Sequence, residues 1–135
     1  MNNLRKYIIF ILIIARCLNS YGQNSNKSYI EFVDLDFLIF TPISIDCGEF
    51  EHQFKGEIFT REISDSLSVL LKESVNQFVE CDAGYCIDTR AKLYLWIEDK
   101  YLIICISKTA IQINSICYSN NDNFWDIITK ICKLE

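Results

Sequence analysis

The sequence predicts an α+β fold: an antiparallel sheet of about four to five strands with two main helices packed on one face. Three observations predict it. Segments of strand periodicity follow one another with short connections, as an antiparallel sheet requires. Two segments carry apolar stripes at helical spacing. Half of the 135 residues are hydrophobic, with a single proline, a composition that buries a core and argues against disorder. The length suggests one domain. A net charge of −5 argues against a protein that coats nucleic acid.

Residues 1–22 stand apart. Arg5 and Lys6 precede an apolar run at 7–15, and Ser20-Tyr21-Gly22 places small residues before Gln23. This is the three-part pattern of a secretory signal peptide. Arg16 stops the run well short of the roughly 20 apolar residues that span a bilayer, so no membrane span is expected after cleavage. A lipid anchor on Cys17 wants a small residue just before the cysteine, and Arg16 is large and charged. The expected localisation is periplasmic or extracellular. Removing 1–22 takes three of the 13 basic residues and none of the 18 acidic ones, leaving 10 against 18, a net −8. Six of seven cysteines remain, and an even number in an oxidising compartment suggests disulfides.

Residues 23–28 are polar and read as a flexible lead-in to a domain over 29–135. Residues 29–40 (YIEFVDLDFLIF) are rich in β-branched and aromatic side chains and read as a strand, ended by Thr41-Pro42. Asp46 followed by Glu49 has capping-box spacing, and Phe50 and Phe54 share a helical face, so 46–54 reads as a short helix. Residues 57–63 alternate as a further strand. Ser64 or Asp65 caps the next helix, over 65–79, with Leu67, Leu70, Leu71, Ser74, Val75 and Phe78 as its stripe. CDAGYC is a turn. Over 87–97, Ala91, Leu93, Leu95 and Ile97 face one way and Arg90, Lys92, Tyr94 and Trp96 the other. A tight connection at 98–100 leads to a strand at 101–107, forming a hairpin. Residues 109–118 read as a third strand, interrupted at Asn114-Ser115. Asn120–Asp122 caps a last helix marked by Phe124, Ile127, Ile128, Ile131 and Leu134.

Chemistry-bearing groups are sparse. Cys81 and Cys86 flank a turn, which favours a local bridge, and Cys117 and Cys132 are a second candidate pair. Cys105, mid-strand, reads equally as a buried free thiol. There is no CxxC, and His52 is the lone histidine, so neither a metal nor another cofactor is expected. Cys47 and His52 lie five apart, a poor match to one helical face for a nucleophile and its base. Arg90 is expected to pair across strands with a carboxylate. Acidity is uneven. Residues 28–66 hold nine acids and two bases, net −7; residues 67–135 hold nine and seven, net −2. A one-sign face steers a partner of opposite charge.

The runs TPISIDCGEFEHQF (41–54), IDTRAKLYLWI (87–97) and YLIICIS (101–107) resemble small uncharacterised exported proteins of Bacteroidota-type bacteria. The resemblance implies export and brings no activity, so no functional residue comes with it. The expectation is a non-enzymatic protein-binding module, inhibitor or immunity-like, with Asp34, Asp36, Asp46, Glu49 and Glu51 presented to a basic protein partner. Two alternatives remain: a small periplasmic enzyme using Cys47/His52 or an acidic pair, and an envelope-associated structural protein.

Overall fold

Seven strands and three helices make up the described residues, 26–35, 44–82 and 87–133, of the computed structural model. The strands are β1 (Tyr29–Phe32), β2 (Phe59–Glu62), β3 (Val79–Glu80), β4 (Ala91–Ile97), β5 (Lys100–Ile106), β6 (Ala110–Ile113) and β7 (Ile116–Ser119). The helices are α1 (Phe50–Gln53), α2 (Asp65–Val75) and α3 (Asp122–Cys132). One sheet contains all seven strands in the order β2-β1-β4-β5-β6-β7-β3, each antiparallel to its neighbours. The class is α+β, as expected.

The strand count corrects the expected four to five. Residues 109–118 are two strands, because Asn114 and Ser115 both take positive φ, 49° and 66°. Two left-handed residues in succession twist the chain as the flanking strands twist, which closes a hairpin instead of merely interrupting a strand. Glu98 and Asp99, at 46° and 64°, do the same between β4 and β5. β3 was hidden inside the expected helix. That helix stops at Val75, and Val79–Glu80 pairs with Ser119–Tyr118 of β7. A two-residue strand is too short to show a period of its own. β1 is shorter than the run suggests. It ends at Phe32, and the remainder of the expected strand, 36–40, with Thr41-Pro42, lies outside the described residues.

α2 and α3 start at their caps, whereas α1 starts at Phe50 with no side-chain cap on Glu49. Ser64 Oγ accepts from Leu67 N and Asn121 Oδ1 from Phe124 N at 2.8 Å, each satisfying an orphan amide of the first turn. Asp46 Oδ1 accepts from Gly48 N at 2.8 Å and Glu49 N at 2.9 Å, which winds the turn leading into α1. Gly56, at φ 87°, supplies the left-handed residue between α1 and β2 that a side chain would strain.

Alternation then divides the sheet. Ile30, Phe32, Leu93, Leu95, Ile104, Ile106 and Ile111 enter the main core, where α2 contributes Leu71 and α3 contributes Phe124, Ile128, Ile131 and Cys132. Leu70, read as part of the α2 stripe, is 45% exposed. α1 belongs to a separate cluster of Val33, Ile45, Phe50 and Phe54 on the other side of the sheet. None of the described helices is long and apolar enough to cross a membrane.

Candidate functional site

Strand pleating turns Lys92, Tyr94 and Trp96 of β4 away from α2 and α3. Their cross-strand neighbours turn with them: Tyr29 and Glu31 of β1, and Tyr101, Ile103 and Cys105 of β5. α1 and the turn before it cover one end of this outer face. A disulfide from Cys47 to Cys105, Cα–Cα 5.7 Å, ties that turn to β5 across 58 residues of sequence. Thr89 N donates to Ile45 O at 2.7 Å, and Ile45 N to Asp88 Oδ1 at 3.2 Å.

Lys92 reaches under α1. Its Nζ lies 2.5 Å from Glu51 Oε1 and 5.9 Å from the centroid of the Phe50 ring. The residue is only 8% exposed, and a charge that deep persists only with a partner. Burial pushes the Glu51 carboxyl up. Hydrogen bonds from Lys92, its own backbone amide and Tyr94, together with the Lys92 charge, outweigh that and hold it below its ordinary value. Arg90 sits beside it, 5.5 Å over the Phe54 ring. Its carboxylate partner is not across the ladder, as expected, but two residues back. Asp88 Oδ2 accepts from both Arg90 Nη2, at 2.7 Å, and Nε, at 3.2 Å.

Beyond α1 the outer face is aromatic. Tyr29 and Tyr94, paired in register, stack with centroids 4.5 Å apart. Tyr101 meets Tyr29 edge-on at 5.6 Å and Trp96 at 4.8 Å. The Tyr94 hydroxyl donates to Glu31 Oε2 at 3.1 Å and also lies 3.4 Å from Glu51 Oε1. Burial, and then the Glu31 charge and hydrogen bond, push the Tyr94 phenol well above its ordinary value. It therefore stays a hydroxyl donor that links the two carboxylates. The Tyr101 hydroxyl donates to Lys27 O at 3.2 Å, yet Tyr101 and Ile103 remain 37% and 45% exposed.

A cavity of about 510 Å³ opens between the turn before α1 and the tip of the β6–β7 hairpin. Asp46, Cys47 and Gly48 form one wall and Asn114 and Ser115 the other. Lys92, Ile103 and Gln112 form the floor. Gln112 Oε1 is buried, away from the open space, without a hydrogen-bond partner. Its register neighbours, Cys105 and Cys117, are poor donors or none.

The structure groups the predicted acidic residues only in part. Asp46, Glu49 and Glu51 share the α1 segment, and all three are exposed. Asp34 is exposed just past β1, and Asp36 lies outside the described residues. Glu31 was missed. Its strand position was legible, but its pairing with Lys92, which brings it to the Tyr94 hydroxyl, is a register fact. The aromatic cluster was missed for the same reason, since its four rings come from three strands.

Cys86 lies outside the described residues, so the Cys81–Cys86 pairing does too. Cys81 Sγ lies 3.5 Å from Ser119 Oγ. The sheet separates the other candidate pair. Cys117 packs on the outer-face cluster of Ile87, Cys105 and Ala110, whereas Cys132 is buried in the main core. Cys105 is not a free thiol but half of the disulfide. That bond also occupies the Cys47 sulfur, which therefore cannot serve His52 as a nucleophile while the bridge is intact. Among the described residues no group of His, Cys, Asp or Glu could hold a metal. Comparisons with protein-family models, with curated proteins and with solved structures give no match.

Proposed function

We propose that this protein is an exported, non-enzymatic binding module that captures a basic protein partner on the outer face of its sheet, in the manner of an inhibitor or immunity protein. One observation carries the reading: Tyr29, Tyr94, Trp96 and Tyr101 form a connected aromatic surface edged by Glu31 and Glu51. Tyrosine and tryptophan dominate binding hot spots because they bring large contact area at low entropic cost. Rings beside carboxylates suit a cationic side chain, which gains both cation–π and ion-pair attraction. Asp46 and Glu49, exposed in the turn before α1, give the charge that draws such a partner in, while Glu51 is paired with Lys92. The disulfide supports export, since such bonds persist in oxidising compartments.

The test is capture from the exported fraction of the source cells, with the bound partner identified by mass. A basic protein should be held at low salt, released at high salt, and lost with a Trp96→Ala/Tyr101→Ala variant that still melts cooperatively. Capture that ignores both salt and the double variant, or no capture at low salt, overturns the reading.

A further inference from the structure

We propose that the Cys47–Cys105 bridge is a redox-sensitive latch: a dithiol entering the cavity reduces it, and reduction frees residues 46–49 from the sheet while the rest of the fold stays in place. The proposal goes beyond the binding reading, and its test needs no partner.

Little else holds the turn. Its polar groups bond within it: Asp46 Oδ1 accepts from Gly48 N and Glu49 N, and Asp46 O from Glu49 N at 3.3 Å. Among the described residues no hydrogen bond or ion pair joins 46–49 to a strand. Both flanks are anchored without the bridge. Ile45 is 5% exposed and bonded to Asp88 and Thr89, and Phe50 is fully buried. Between these anchors the disulfide ties the turn to β5. Opening it therefore releases a short segment that carries Asp46 and Glu49 and leaves its two ends in place.

The cavity gives access to one sulfur. Cys47 is half-buried and lines it, whereas Cys105 has no exposed surface. A thiolate of the dithiol attacks Cys47 Sγ and forms a mixed disulfide. The bond to Cys105 breaks, and the Cys105 sulfur takes the electron pair and then a proton. The second thiol of the reductant displaces the Cys47 sulfur, which takes the other proton. The bridge gains two electrons and two protons, and the dithiol leaves as its own disulfide. In an oxidising compartment the resting state is the closed one.

An acceptor waits beside the buried sulfur. Gln112 of β6 is the register neighbour of Cys105, and its Oε1 is buried without a partner. A disulfide sulfur has no proton to give, whereas a Cys105 thiol brings an S–H donor. Reduction therefore supplies a donor next to an orphaned acceptor, which favours the open state relative to a bridge with no such neighbour.

The experiment equilibrates the oxidised protein with mixtures of reduced and oxidised dithiothreitol, without denaturant, and maps alkylated thiols by mass. Cys47 and Cys105 should be reduced together while the protein still melts cooperatively. Backbone NMR relaxation should then show order parameters at 47–49 falling below about 0.6, with β4 unchanged. Gln112→Leu should shift the equilibrium toward the disulfide by about threefold, a modest effect because S–H is a weak donor. Gln112→Met gives the same reading should the leucine variant fail to fold. A glutamine with only a structural role would change both redox forms alike and leave the ratio where it was. Reduction only in denaturant that unfolds the sheet, unchanged order at 47–49 in the reduced protein, or a ratio indifferent to Gln112 each overturns the latch.

Discussion

The two faces of one sheet are built by opposite rules. The inner face is aliphatic and closed: α2 and α3 bring Leu71, Phe124 and Ile128 onto Leu93, Leu95, Ile104 and Ile106, all fully buried. The outer face is aromatic and charged, and the described helices cover it only where α1 is tied down. The difference shows where each face draws its order. The inner one is held by area removed from water. The outer one is held by a few specific bonds, a disulfide, an ion pair and ring contacts, which leave surface to spare for a partner.

The largest effect should come from the inner face. Phe124, fully buried and edge-on to Phe78 at 4.9 Å, should cost about 3–5 kcal/mol on change to Ala, read as a fall in the denaturation midpoint. On the same face, Cys132, whose thiol burial pushes up to about 12, should resist alkylation until the chain unfolds. Labelling of Cys132 in the native protein would show that the inner face opens locally.

Next is the tether. Replacing Cys47 and Cys105 together by Ala should cost about 2–4 kcal/mol through the freed loop. It should also loosen α1 selectively, seen as faster amide exchange at 46–54 than in β4. Uniform loss across the sheet would mean that the two faces are not separable.

Glu51→Gln should cost less, about 1–2 kcal/mol, since Glu51 is half exposed while Lys92 is left buried without its counter-charge. The sign with pH follows from the lowered Glu51 pKa. The advantage of the wild-type carboxylate is complete above its ordinary value of about 4.5 and is lost as pH falls through the lower folded value. Melts of both proteins between pH 7 and about pH 3 should converge at the acid end. A difference that stays constant would place the effect in packing and not in charge.

The smallest change in stability should come from the open aromatic surface. Tyr101→Ala should cost about 0.5–1.5 kcal/mol, the scale of its ring contacts, while removing most of the partner capture. A cost as large as that of Phe124→Ala would make Tyr101 a core residue and erase the contrast between the faces.

Much of this was legible locally. The alternation of 91–97 and the Phe50/Phe54 pair appear in the structure, and of the residues offered as caps Ser64 and Asn121 serve. The misses have physical causes. β3 is two residues long, and the Asn114-Ser115 break reads as a flaw in a strand unless both residues are known to be left-handed. Arg90 found Asp88, two residues away, before any cross-strand acid.

By itself the sequence determined the periods, the turns and the caps, and so the α+β class and the position of most elements. These depend on side chains within a few residues of one another. Only the tertiary structure decided that β1 lies between β2 and β4, that Cys47 finds Cys105, that Glu51 finds Lys92 from 41 residues away, and that four rings from three strands become one surface. Such pairings are chosen by the packing of the whole chain, where burial of the inner face fixes the register, and the register places everything on the outer face.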